Sequence, residues 1–135
     1  MTSQTTTKPA VRRFALRGYL LTVAVAAALN VAIYFIGSAA GGAMSVTMSG
    51  GQDIEWFIVI IATVVPLALA GIVVWLIAGR WEVVLRWLRW TGLVIAVASA
   101  FMPLSMSEDP QTAVSLAAMH VVAGLAWFLG TRARA

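Results

Sequence analysis

The run Thr112–Leu129, TAVSLAAMHVVAGLAWFL, carries no charged side chain and holds the only histidine of the chain, His120, near its centre. At about 1.5 Å of rise per helical residue, a run of that length is about long enough to cross the ~30 Å hydrocarbon core of a bilayer. Three other runs have the same character: Gly18–Ile36, Ile54–Ala78, and a segment entered through Trp81–Trp90 that continues to about Met102 or Ser105. The expected fold is therefore all-α, an integral membrane antiparallel four-helix bundle. Its predicted parts are a disordered tail over 1–13, a transmembrane domain over 14–130 with spans at about 14–37, 54–78, 83–104 and 110–129, and a short tail over 131–135.

Composition supports lipid as the solvent. The chain is 61% hydrophobic and only 10% charged, over 135 residues, with a mean hydropathy of +0.94. That leaves too little polar surface to coat a soluble domain. No polar stretch is long enough to build a separate core. Cysteine is absent, which removes disulfides, thiolate nucleophiles, iron–sulfur clusters and Cys-ligated zinc.

The boundaries of the runs carry their own signals. Asp109 followed by Pro110 is a strong helix start, an N-cap with proline at the first helical position. Asp53 is read as the N-cap of the second helix, with Glu55 in its first turn, and Gly79–Arg80 as its ending. The connection Gly37–Asp53 holds four glycines from Gly41 onward, and Met44–Ser49 alternates apolar and polar residues, which suggests a short extended segment. Ahead of the first run stand Lys8, Arg12, Arg13 and Arg17, a pattern shared with signal peptides. The run exceeds the usual h-region of about 7–15 residues and contains Asn30, so an uncleaved helix is expected.

Charge placement predicts orientation. All nine basic residues lie in the N-terminal segment, the second connection and the C-terminal tail, while four of the five acids lie in the first and third connections. The positive-inside rule then puts both termini in the cytoplasm, and the net charge of +4 needs no nucleic-acid partner. Helix-dipole compensation explains only half of the pattern. Arg12, Arg13, Arg17, Arg86 and Arg89 crowd the N-terminal ends of helices one and three, where the dipole disfavours cations.

Few polar groups remain inside the spans. Measured along the helices from Arg17, Arg80, Arg89 and Arg132, Asn30, Pro66, Pro103 and His120 all lie roughly 18–21 Å up their helices. Stripes of small residues share those faces: Ala113, Ala117, His120 and Gly124; Gly92, Ala96, Ser99 and Pro103; Ala26, Asn30, Ile33 and Gly37. Such stripes allow close helix approach in lipid. Asn30, Ser99 and His120 are accordingly expected to face one another. Polar residues at such positions commonly act as interhelical glue, whereas an intramembrane ionisable group is by default a functional hypothesis. Tyr34 stands one turn above Asn30, at the outer mouth or in the aromatic belt, and Trp56, Trp75 and Trp127 are read as belt residues.

Several chemistries lack their residues. One histidine without neighbouring cysteines or carboxylates cannot build a metal or haem site within one chain. No span carries a carboxylate, so carboxylate-driven proton coupling has no candidate, unlike small multidrug exporters with a glutamate in their first helix. No phosphate loop, dinucleotide fingerprint or nucleophile elbow appears.

The motifs Asn30-x-x-x-Tyr34-x-x-Gly37, Pro103-Leu104 and Met119-His120-x-x-x-Gly124 resemble those of a family of small actinobacterial four-span proteins catalogued as a domain of unknown function. The resemblance covers almost the whole chain. It implies a four-span protein of the plasma membrane with these residues as its polar positions, and it implies no activity.

The sequence thus points to a non-enzymatic membrane protein without cofactor or bound metal. Its polar layer of Asn30, Ser99 and His120 stabilises the bundle or holds a small apolar ligand, with Asn30, Tyr34, Ser99, Pro103 and His120 as the candidate ligand-binding residues, and it works with a membrane-protein partner or as a homo-oligomer. The alternative is a subunit of a small-molecule transporter or channel with its path at the same layer. An enzyme using His120 as general base ranks last, because no second catalytic group accompanies it.

Overall fold

A computed structural model describes residues 14–46, 52–77, 82–107 and 109–132. It contains α1 (Leu16–Ala39), β1 (Ser45–Val46), β2 (Gln52–Asp53), α2 (Trp56–Ile77), α3 (Glu82–Ser99), α4 (Phe101–Met106) and α5 (Pro110–Gly130). Among the described residues, four helical stretches are long and apolar enough to cross a membrane: Leu16–Ala39, Trp56–Ile77, Val83–Met106 and Pro110–Gly130. The expected tail at 1–13, the Gly79–Arg80 ending, Trp81 and most of the last five residues lie outside the described residues.

Each helix boundary has a local cause. α5 begins where expected, with Asp109 outside the helix accepting from the Thr112 amide at 2.7 Å and Pro110 in the first turn. The other Asp109 oxygen accepts from the Ala43 amide at 3.3 Å, and the Met44 amide donates to Thr112 Oγ1 at 2.9 Å. The first connection is thereby fastened to the start of α5. Those hydrogen bonds, chiefly with Thr112, hold the Asp109 carboxyl below the usual carboxylate range.

Asp53 does not cap α2. Its backbone instead pairs with Ser45 in a two-stranded antiparallel ladder, and the Ile54 amide donates to the Met44 carbonyl at 2.7 Å, so the helix starts later, at Trp56. The extended segment expected within Met44–Ser49 is present at Ser45–Val46, and 47–50 lie outside the described residues.

The third span is broken rather than continuous. Pro103 has no N–H to give the Ser99 carbonyl four residues earlier. α3 accordingly stops at Ser99, Ala100 forms a turn with its amide shared between the Ala96 and Val97 carbonyls at 3.2 Å each, and α4 resumes at Phe101. The consequence is a separate short helix that packs mainly on α5.

α1 and α5 are the central pair; α2 lies chiefly on α1, and α3 lies chiefly on α5. Tyr19 anchors one end. It is fully buried, its hydroxyl donates to the Leu67 carbonyl at 2.7 Å, and its ring meets Trp127 edge-on at 6.2 Å between centroids. Phe14, Val23, Val74, Leu85 and Leu88 complete this cluster, so the start of α1, the end of α2, the start of α3 and the end of α5 share one end of the molecule.

Trp127 corrects the sequence reading. Only 9% exposed, it is no belt residue: its indole N–H donates to the Leu88 carbonyl at 3.2 Å and its ring occupies the space beside Gly92. A Cβ on Gly92 would overlap that indole, as one on Gly71 would overlap the Tyr19 ring. The same end is closed by Arg89, whose Nε donates to the Phe128 carbonyl at 2.9 Å while its guanidinium lies 3.8 Å from the Phe128 ring centroid. A basic side chain on a last-turn carbonyl suits the negative end of the helix dipole.

The outward surface is apolar. Leu21, Ile36, Leu69, Leu76, Val83, Trp87 and Val94 are all more than half exposed. Such a surface is unfavourable in water at this extent and costs nothing in hydrocarbon.

Candidate functional site

Asn30 of α1 is a buried polar side chain, only 2% exposed. Its amide nitrogen donates to Thr63 Oγ1 of α2 at 2.9 Å and, more weakly, to the Met119 carbonyl of α5 at 3.4 Å. One side chain therefore ties three helices together.

The orientation of that carboxamide follows from its neighbours. The Thr63 hydroxyl hydrogen is committed to the Val59 carbonyl at 2.8 Å, so Thr63 Oγ1 can only accept, and a carbonyl can only accept. Both atoms facing the amide group are acceptors, which requires the nitrogen to be the atom between them. The carboxamide oxygen, Oδ1, is then left buried without a partner among the described residues. Leaving such a group unsatisfied costs about 1–3 kcal/mol in water-soluble cores and more in hydrocarbon.

Asn30 lines a cavity of about 240 Å³ with Thr63, Met119 and His120, and with apolar walls from Ile54, Ile58, Leu116 and Ala123. It exists because α2 and α5 both pack on α1 while making few contacts with each other. Pro66, lacking an N–H, leaves the carbonyl of Ala62 without its usual helical donor, and the Ala62 residue is part of the cavity lining.

His120 is half-buried and, among the described residues, makes no hydrogen bond to another helix. Its Nδ1 lies 2.7 Å from the Leu116 carbonyl of its own helix, four residues back. Because that oxygen only accepts, Nδ1 carries a proton, and Nε2 has no hydrogen-bond partner among the described residues.

Of the residues singled out from the sequence, Asn30 and His120 meet at this cavity. Ser99 is not among its lining residues; its hydroxyl donates to the Ala96 carbonyl at 2.9 Å, within its own helix. Pro103 is buried in α4 against α5, and Tyr34 stacks edge-on with Phe35 at 5.3 Å, both away from the cavity lining. Sequence reasoning missed Thr63 and the Met119 carbonyl. A signal for Thr63 existed, since it is the only hydroxyl-bearing residue in α2 and stands three positions before Pro66. No three His, Cys, Asp or Glu side chains come together as a metal site among the described residues.

Four membrane-length apolar helices around a few internally bonded polar groups define a small membrane protein. The family described as "Family of unknown function (DUF6069)" matches residues 9–135, and the chain belongs to that family. Comparison with curated proteins finds no match, and neither does comparison with solved structures.

Proposed function

We propose that this protein is a non-enzymatic four-helix bundle of the plasma membrane, antiparallel and with both termini in the cytoplasm, that binds a small and largely apolar ligand in the cavity at Asn30 and His120. The observation that carries this reading is the bonding of His120. An imidazole serving as glue between helices would bond a neighbouring helix, whereas among the described residues this ring bonds only its own helix, beside a cavity. Bundle cohesion in the same layer rests instead on Asn30 and Thr63.

The orientation is supported by the charges. Arg17, Arg86, Arg89 and Arg132 belong to the end marked by Tyr19 and Trp127, while Asp53, Glu55 and Asp109 belong to the opposite end. The positive-inside rule makes the arginine end cytoplasmic. The motif resemblance adds an actinobacterial plasma-membrane setting. With few helices and much exposed apolar surface, the protein works with a membrane partner or as an oligomer. A transport path through Asn30, Ser99 and His120 has less support, since Ser99 uses its hydroxyl within its own helix.

Replacing His120 with Leu tests the reading. In detergent, the melting temperature is expected to stay within about 2 °C of wild type, because no interhelical bond is lost. Native mass spectrometry is expected to show a small-molecule adduct that co-purifies with the wild type and not with the variant. A large drop in melting temperature with no adduct on either protein would return His120 to a structural role.

A further inference from the structure

An apolar groove runs along the outside of the bundle between α1 and α5. Its volume is about 390 Å³, and every residue lining it belongs to those two helices, so neither α2 nor α3 covers it. Leu21, Val25, Leu29, Leu125 and Leu129 are exposed along it. The one hydroxyl among the lining side chains, that of Thr22, already donates to the Tyr19 carbonyl at 2.7 Å. The lining side chains therefore offer hydrocarbon contact and no free polar partner.

The length of the groove and the charges at its end indicate what fits. Gly18 and Leu29 are eleven helical positions apart, about 16 Å, which is roughly one leaflet of a ~30 Å hydrocarbon core. Arg17 immediately precedes Gly18. Gly130 lies so close to Thr22 and Tyr19 that an added Cβ would overlap both, which brings Arg132, two residues on, to the same end. Arg17 and Arg132 are exposed, and the Arg132 guanidinium shares the Phe128 ring with that of Arg89, at 5.7 and 3.8 Å from its centroid. Among the described side chains no carboxylate pairs with any of these three arginines. The excess is large, since all nine basic residues and only one acid, Glu82, fall in the segments at this end of the spans.

A second copy of the chain is a poor occupant. Lying parallel in the same bilayer, it would set its own arginine end against this one, and like charges brought together are costly. The groove between the same helices at the opposite end, with Ile36, Gln111 and Val114 in its lining, is bordered by Asp109 rather than by arginine.

We propose that the groove at the arginine end binds an anionic phospholipid, with one acyl chain between α1 and α5 and the phosphate of the headgroup held at Arg17 and Arg132. Guanidinium groups suit a phosphate through charge-assisted hydrogen bonds. This site shares no lining residue with the cavity at Asn30 and His120. It rests on the membrane-spanning reading and not on a ligand in that cavity.

The test uses the full chain in phosphatidylcholine nanodiscs that carry a trace of either phosphatidylglycerol or phosphatidylcholine with a diazirine on its acyl chain. After illumination, peptide mass spectrometry locates the label. The phosphatidylglycerol probe is expected to label the groove residues of α1 and α5 about 25-fold more than the phosphatidylcholine probe, about fivefold for each of two arginines. Replacing both, Arg17→Gln with Arg132→Gln, should bring the two probes level, whereas Arg86→Gln, an exposed arginine of α3 at the same end, should leave the preference intact. Val25→Trp, at an exposed lining position, should remove the groove label from both probes. Should a variant fail to fold, the wild-type ratio and label map decide without it. Equal labelling by the two probes, or label spread as heavily over α2 and α3, overturns the site. A loss of preference in Arg86→Gln as large as in the double variant would reduce it to diffuse interfacial charge. If excess glycerol 3-phosphate abolishes the preference, the arginines hold a free phosphate and the lipid assignment falls. An unlabelled groove that cross-links to a second copy overturns it in favour of a dimer.

Discussion

Asn30 shows how a polar residue in lipid acquires a fixed orientation from what its neighbours have already given away. Thr63 bonds back to Val59, so the Asn30 nitrogen has no choice of direction. A double-mutant cycle on Asn30→Leu and Thr63→Val is expected to yield a coupling of about 0.6 kcal/mol, and under 2 kcal/mol, the range found for interhelical bonds in membranes. Zero coupling by thermal or denaturant unfolding would mean that the bond does not form. Gly71 makes a sharper demand, since a Cβ there would enter the Tyr19 ring. Gly71→Ala is expected to cost about 1–3 kcal/mol through overpacking, measured as a lower melting temperature, whereas Ala substitution at exposed Leu69 should cost far less. At this scale Asn30 and His120 were legible as rare polar residues in apolar runs. Their partners were not, because spacing within one helix says nothing about which residue of another helix arrives opposite, and the inward turn of Trp127 depends on Gly92 leaving room for it.

Element boundaries follow from backbone donors and acceptors. Asp109 and Pro110 were readable because an N-cap and a first-turn proline act locally. Asp53 misled for the opposite reason: a two-residue ladder with Ser45 is a nonlocal contact, and it took the backbone that a cap would have used. Pro103 was visible as a distortion, but the complete stop at Ser99 was not. Pro103→Ala supplies the missing amide, and hydrogen exchange is expected to find that amide protected as α3 and α4 fuse; rapid exchange there would show the break to have another cause. The cap of α5 should also respond to pH. The Asp109 carboxyl is held below its usual range in the fold, so its contribution is full above about pH 4 and fades as pH falls below that. Acid melting curves should show this loss in the wild type and a weakened dependence in Asp109→Asn, which keeps an accepting oxygen without the titration.

For the molecule as a whole, length, composition and charge placement were enough to foresee four membrane-length helices, because each depends on summed local properties rather than on particular contacts. What they could not convey is the unequal packing: α1 and α5 make the core, while the third span keeps little of its surface inside the protein. That asymmetry opens the cavity between α2 and α5, and it leaves apolar faces that only lipid or another helix can cover. The cysteine-free sequence makes the orientation directly measurable. Single cysteines placed at Ala15, Ala43, Gln111 and Ala135 can be labelled in intact cells with a membrane-impermeant maleimide. Labelling is expected at positions 43 and 111 from outside, and at 15 and 135 only after the membrane is opened. Labelling of 15 or 135 from outside, or of all four positions without any membrane opening, would contradict a four-span chain with its arginine-rich ends in the cytoplasm.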